Sequence, residues 1–133
     1  MIREFINSYN ENDFNPPAPV LDILLASPNP FLPKNITQIK RMALLDTGAD
    51  LTAIPEEVVR QLGLKKIDDI MVLDYKGNFF RTAIFVVRFI IEKLIDLNIR
   101  VITSDLDYVH LGRDILNQWE LYLSASNKTI KIS

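Results

Sequence analysis

The chain has 133 residues, a length typical of one domain with its own hydrophobic core. Hydrophobic residues make up 48% and charged residues 24% of the sequence, which is ordinary composition for a globular protein. The net charge of −2 and the scattered Lys and Arg residues argue against binding to nucleic acid or to an anionic membrane surface. The absence of cysteine excludes disulfides, thiolate metal sites and cysteine nucleophiles.

The sequence predicts neither a signal peptide nor a transmembrane helix. Arg3, Glu4 and the polar residues that follow interrupt any apolar run near the N-terminus. The most apolar segment, residues 83–91, contains Arg88 and is far shorter than the roughly 20 residues that span a bilayer. We therefore expect a cytoplasmic protein without a membrane partner.

The chain divides into a lead-in and one domain. Residues 1–19 contain four asparagines and end in Pro16-Pro17-Ala18-Pro19, so we expect an irregular N-terminal arm there. Residues 20–133 are expected to form a single domain that consists mainly of strands. Strands are predicted at 20–26, 36–45, 70–73, 79–91, 95–103, 108–111, 121–123 and 129–132, with a proline-rich loop at 27–34.

Two short helices interrupt the strands. Pro55 suits a first helical position, the acidic residues after it suit the positive end of the helix dipole, and Gly63 suits a left-handed stop. Residues 113–118 are long enough for one or two helical turns. Residues 74–78 carry the chemistry of a hairpin turn.

One motif places a carboxylate on a tight turn between hydrophobic flanks. The apolar run Ala43-Leu44-Leu45 leads into Asp46-Thr47-Gly48, and a second apolar stretch follows. An acid in such surroundings is a candidate functional residue. Asp and Gly also favour turns, however, so the tripeptide alone is explained at least as well by turn chemistry.

The residues Asp46-Thr47-Gly48-Ala49 resemble the active-site loop of the retropepsin-like aspartic proteases. Residues 109–116, Val-His-Leu-Gly-Arg-Asp-Ile-Leu, resemble that family's second signature, in which an apolar strand precedes Gly-Arg-Asp/Asn and a short helix. The predicted hairpin around Lys76-Gly77 lies where the family has its flap. This resemblance covers residues 20–123 and implies an all-β, closed retropepsin-like barrel with one or two short helices and a flap hairpin.

The resemblance implies a homodimeric aspartic endopeptidase. Known aspartic proteases hold two carboxylates about 3 Å apart that share one proton. Because the sequence contains Asp-Thr-Gly only once, a second copy of the chain must supply the other Asp46. One Asp46 would activate water, and the other would protonate or hydrogen-bond the carbonyl of an extended peptide. No cofactor and no metal is implied.

The resemblance also implies roles for residues near Asp46. Thr47 would interlock with its symmetry mate beneath the two carboxylates, and Gly48 would bond the substrate main chain. The substrate-binding set would consist of Gly48, Ala49 and Asp50 from the loop and Tyr75, Lys76 and Gly77 from the flap tip, which would close over the substrate.

A further set of residues would stabilise the active-site loop without contacting the substrate. Asp114 would bond Thr52 and so tie the second helix to the active loop, which contains Asp46-Thr47-Gly48-Ala49. Gly112 would let the strand pass close to that loop. Arg113 would pair with Asp50 and brace the dimer, as in retroviral members, although an ordinary surface ion pair explains the same two residues.

Other interpretations stay open at this stage. The chain could be a catalytically inactive retropepsin-fold module for dimerisation or peptide binding, or a monomeric β-barrel that binds an apolar ligand. His110, the only histidine, cannot build a metal site alone and is interpreted as structural. Trp119, Phe79 and Phe80 are interpreted as core or dimer contacts, with a substrate subsite as the alternative.

Overall fold

The computed structural model describes residues 4–28, 37–74 and 76–133. Within these ranges the chain is mainly β, as predicted. The strands are β1 (Phe5–Ser8), β2 (Val20–Ala26), β3 (Gln38–Leu45), β4 (Ala53–Pro55), β5 (Lys66–Leu73), β6 (Phe79–Ile91), β7 (Ile95–Ser104), β8 (Val109–Leu111), β9 (Leu121–Ser124) and β10 (Thr129–Ile132). The helices are α1 (Glu56–Leu62) and α2 (Arg113–Leu116). Most of the predicted proline-rich loop lies outside the described residues.

Six of the described strands close a barrel. Their order is β2-β3-β8-β4-β7-β6, and β6 pairs back with β2. β3 runs parallel to β8 and β4 runs parallel to β7, whereas the other neighbours are antiparallel. β5 extends this sheet as the outer arm of a hairpin with β6. The predicted closed all-β barrel is therefore confirmed.

The barrel core follows from the alternation of side chains along its strands. Along β2, Leu21, Ile23 and Leu25 are at most 1% exposed, while Asp22 between them faces solvent. Successive residues of a strand point to opposite faces, so this pattern sends one face of β2 into the core. Val87 and Phe89 of β6 are fully buried in the same cluster. Each such side chain contributes roughly 1.5–3 kcal/mol through burial.

The prediction of an irregular arm over residues 1–19 is wrong for residues 5–8, which form β1. β1 pairs antiparallel with β10, which in turn pairs with β9 in the predicted C-terminal hairpin. Ile130 and Ile132 of β10 are fully buried, so β10 is anchored in the core and offers a sheet edge that β1 completes. Four residues of mixed polarity, Phe-Ile-Asn-Ser, are too short a pattern to predict a strand.

Helix α1 begins and ends near its predicted boundaries. Gly63 adopts the left-handed conformation with φ 63°, and its N–H bonds the last carbonyls of the helix. Pro55 is the N-cap residue and also ends β4, one position before its predicted place. Neither helix in the described part of the chain has the length and apolarity needed to cross a membrane.

One cross-strand ion pair makes a testable contribution to stability. Arg88 on β6 donates through Nε and Nη2 to the two carboxylate oxygens of Asp96 on β7, both at 2.9 Å. These hydrogen bonds lower the pKa of Asp96 below its usual value. When folding lowers the pKa of a carboxyl group, that group stabilises the folded state at every pH above its pKa in the unfolded chain. The stabilisation is lost as the pH falls through its pKa in the folded state.

We therefore expect Asp96→Asn to lower the urea midpoint slightly at pH 7, because the pair is exposed and screened by solvent. The difference from wild type should shrink as the pH falls below the unfolded pKa of Asp96 and vanish below its lowered folded pKa. Unfolding followed by the fluorescence of the single tryptophan, Trp119, measures this effect. Asp22→Asn, which loses only a 3.8 Å contact with Lys40, is the control. A destabilisation that does not change with pH would contradict the prediction.

Candidate active site

The Asp46-Thr47-Gly48 turn begins where β3 ends. The backbone N–H of Asp46 donates to the carbonyl of Leu111 at 2.9 Å, which extends the pairing of β3 with β8. The N–H of Ala49 closes the turn onto the Asp46 carbonyl at 3.2 Å, and the N–H of Gly48 donates to Asp46 Oδ1 at 3.0 Å. The Asp46 side chain is 35% exposed. The turn therefore presents a carboxyl group that its own backbone holds in place.

Gly112 lets the second signature pass directly against this loop. A Cβ atom at position 112 would lie 2.6 Å from the carbonyl carbon of Leu51 and 2.9 Å from its nitrogen. Real Cβ atoms do not approach backbone so closely, so a side chain here would push the two segments apart. The φ of Gly112 is −85°, which any residue can adopt, so its conformation does not require glycine. The close approach to Leu51 does.

Thr52 and Asp114 form a buried polar link between the two segments. The Thr52 side chain is fully buried, and its hydroxyl donates to Asp114 Oδ1 at 2.8 Å. The same hydroxyl accepts a hydrogen bond from the Gly112 N–H at 3.2 Å, and the Thr52 N–H donates to Asp114 Oδ2 at 3.1 Å. The predicted bond between Asp114 and Thr52 is thus present, and it is one of several.

The start of α2 also bonds the loop directly. The Arg113 N–H donates to the Ala49 carbonyl at 2.9 Å, and the Asp114 N–H donates to the Asp50 carbonyl at 3.4 Å. The Arg113 guanidinium donates to the Thr47 carbonyl at 3.1 Å and forms an ion pair with the Asp50 carboxylate. This predicted ion pair lies within one chain, and both of its side chains are substantially exposed.

A cleft of about 470 Å³ lies between the active loop and the β5–β6 hairpin. Its lining is largely apolar and consists of Gly48, Ala49, Asp50, Leu51, Ile70, Met71, Val72, Leu73, Phe79 and Ile102. The predicted substrate-binding residues of the loop therefore lie in the cleft wall. Strands β5 and β6 supply the facing wall through side chains that sequence reasoning did not assign to the site.

The tip of this hairpin is a tight turn. Asp74 Oδ1 accepts hydrogen bonds from the N–H groups of Lys76 and Asn78, both at 2.9 Å. Gly77 has φ 85°, a conformation that favours glycine. Lys76 and Gly77 are exposed, and Tyr75, the third predicted tip residue, lies outside the described residues. The turn chemistry predicted for residues 74–78 is confirmed.

The hairpin exposes large apolar side chains. Met71, Leu73 and Phe79 are 57%, 56% and 68% exposed, and Phe80 is 46% exposed. Phe79 and Phe80 are therefore not core residues, and Phe79 lies in the cleft wall. The other half of that interpretation, a dimer contact, stays a prediction. Trp119, by contrast, packs partly buried against the core.

His110 lies against Asp46, which the sequence analysis missed. The distance from His110 Nδ1 to Asp46 Oδ2 is 3.3 Å. Val109 and Leu111 are fully buried, so the side chain between them points to the opposite face of β8. Leu44 is in register with His110, which places Asp46, two residues further along, on that same face. Strand alternation combined with this register is the signal that would have predicted the contact.

Solved structures with the same fold are known. A retropepsin-like aspartic protease from Rickettsia conorii matches with a TM-score of 0.63 and 19% identity, over 98% of this chain and 90% of that one. EIAV protease in complex with the inhibitor HBY-793 matches with a TM-score of 0.52 and 23% identity, over 84% of this chain and 93% of that one. No protein-family model and no curated protein matches the sequence. The chain thus has a retropepsin-like fold.

Removing the Thr52 hydroxyl should destabilise the protein. We expect Thr52→Val to lower the free energy of unfolding by roughly 2–3 kcal/mol, because the buried Gly112 N–H loses its acceptor and Asp114 loses a donor. Thr52→Ser keeps the hydroxyl and loses one buried methyl, which costs about 1 kcal/mol. Urea unfolding of the two variants measures the difference. Equal losses would mean that packing, and not the polar link, holds this position.

Proposed function

We propose that the protein is a homodimeric aspartic endopeptidase whose active site combines Asp46 of two copies of the chain. The observation that carries this proposal is the placement of Asp46, partly exposed, on a turn fixed by its own backbone and by the second signature. The retropepsin-like fold supports the same function, since both structures compared above are proteases. The single Asp-Thr-Gly makes a second copy necessary.

In the proposed reaction, one Asp46 carboxylate accepts a proton from water as the water oxygen bonds to the scissile carbonyl carbon. The Asp46 carboxyl of the other copy gives its proton to the carbonyl oxygen, which yields a neutral tetrahedral intermediate. Breakdown of this intermediate breaks the C–N bond, and a proton from the dyad reaches the leaving amine. The two carboxyls titrate as one unit, so the shared proton belongs to the pair.

The loop residues have supporting roles in this proposal. Thr47 interlocks with Thr47 of the second copy beneath the carboxyls, and the main chain of Gly48, Ala49 and Asp50 bonds an extended substrate. Thr47, Ala49 and Asp50 are already fixed through their carbonyls by α2. A substrate therefore meets a loop that needs little rearrangement, which favours catalysis.

The β5–β6 hairpin is the proposed flap, with Tyr75, Lys76 and Gly77 at its tip. The exposed side chains of Met71, Leu73 and Phe79 support this role, because large apolar groups left in solvent mark binding surfaces. Closure of the hairpin over a peptide would bury them and exclude water. The apolar cleft wall favours substrates with apolar side chains near the scissile bond.

Replacing Asp46 should remove activity without unfolding the chain. We expect Asp46→Asn and Asp46→Ala to abolish cleavage of a diverse peptide library, because neither side chain can exchange a proton with water. Asp22→Asn, the same change at an exposed carboxylate outside the site, should retain activity. Measurable cleavage by either Asp46 variant would rule out the assignment. A wild-type protein that binds peptide without cleaving it would instead be a peptide-binding module.

The requirement for two copies can be tested by mixing. If subunits pair at random, an equal amount of Asp46→Asn should reduce wild-type activity to about half, and a ninefold excess should reduce it to about a tenth. Asp22→Asn, an active surface variant, should cause no such loss when it is mixed in the same ratios. Activity that is unaffected by excess Asp46→Asn would show that one chain suffices, and sedimentation would then find a monomer.

A further inference from the structure

We propose that His110 is a positioning residue for Asp46, and that its ring donates a hydrogen bond from Nδ1–H to Asp46 Oδ2. The contact between the two atoms is present in the structure, whereas its consequence for catalysis rests on the proposed function. The proposal replaces the interpretation of His110 as a merely structural histidine.

Two different donors hold the two oxygens of the Asp46 carboxyl. Oδ1 accepts from the backbone N–H of Gly48 at 3.0 Å, and Oδ2 lies 3.3 Å from His110 Nδ1. One bond alone would leave the carboxyl free to rotate about it. With both oxygens held, the plane of the carboxyl is fixed relative to β8 and to the Asp46-Thr47-Gly48 turn.

Aromatic side chains fix the ring of His110 in turn. Tyr108 stacks on the imidazole with ring centroids 5.1 Å apart and planes inclined by 24°. Phe14 meets Tyr108 edge-on at 5.3 Å and 80°. The His110 side chain is only 21% exposed, so it has little room to adopt another rotamer. A rigid ring is what a positioning role requires.

The surroundings of the ring select which nitrogen carries the proton. Nε2 is buried and has no hydrogen-bond partner among the described residues. A buried N–H without an acceptor is unfavourable, whereas Nδ1–H has the Asp46 carboxylate beside it. The strand residues in register with His110 are Leu44 and Ala53, which carry no charge. In the described part of the chain, the charged partner found for the ring is Asp46, so the proton belongs on Nδ1.

Fixing the carboxyl plane should accelerate the chemical step more than it tightens binding. Water attack needs each Asp46 to present one oxygen in a defined direction, and small misplacements of a reacting group slow catalysis strongly. A residue that holds this direction lowers the barrier without touching the substrate. Loss of the hydrogen bond should therefore reduce kcat and leave KM nearly unchanged.

The kinetic test compares two substitutions of nearly the same shape. His110→Leu removes every donor, whereas His110→Asn can place an amide N–H where Nδ1 lies. We expect the Leu variant to lose about tenfold or more in kcat with little change in KM, and the Asn variant to recover most of that loss. Urea unfolding of both variants controls for the lost ring stacking. Equal kcat values for the Leu and Asn variants would overturn the catalytic role.

A second measurement does not depend on activity. His110 is the only histidine, so the imidazole nitrogens of ¹⁵N-labelled protein give one unambiguous set of NMR signals. At about pH 8.5, where imidazole rings ordinarily carry one proton, we expect that proton on Nδ1 in the wild type. In Asp46→Ala, which lacks the acceptor, the preference for Nδ1 should weaken. A proton on Nε2 in the wild type would overturn the proposed hydrogen bond.

The two measurements separate the possible failures. If the wild-type protein cleaves no peptide but shows the Nδ1–H tautomer, the proposed function fails and the hydrogen bond stands. If it cleaves peptides and the proton lies on Nε2, the function stands and the positioning role of His110 fails.

Discussion

The candidate site depends on one close approach, between Gly112 and the backbone of Leu51. Without a side chain at position 112, the turn into α2 packs directly on the active loop. This contact lets the buried Thr52 hydroxyl reach both the Gly112 N–H and Asp114. Buried polar groups are costly unless each has a partner, so the two segments stabilise each other only at this separation.

The position of Asp46 follows from that contact. The first N–H groups of a helix have no partner within the helix, and in α2 those of Arg113 and Asp114 bond the carbonyls of Ala49 and Asp50. The active turn is thereby fixed from beneath through its backbone, which leaves its side chains free for other contacts. The exposed Asp50–Arg113 ion pair adds little by itself, because solvent screens it. The buried link through Thr52 is the stronger constraint.

Sequence reasoning succeeded where the type of residue at a position determines its contact or its backbone conformation. The second signature predicted the bond between Asp114 and Thr52, and glycines marked the end of α1 and the hairpin tip. It failed where the outcome depends on tertiary register. Strand β1 exists because β10 offers an edge, and no local pattern in residues 5–8 shows that edge. The contact of His110 with Asp46 likewise requires the register of β3 on β8.

The N-terminal segment contacts the rest of the chain at two places, and only one of them leads to the candidate site. Phe14 packs on Tyr108, Tyr108 stacks on His110, and His110 reaches Asp46. The other contact is the pairing of β1 with β10, which bears on how a dimer would assemble. Because β10 has β1 on one side and β9 on the other, both of its edges are satisfied within one chain. A second copy therefore cannot insert a strand beside β10 without displacing one of them. Among the described strands of this sheet, β1 and β9 are at the edges, so a dimer that adds a strand to this sheet would pair with one of them.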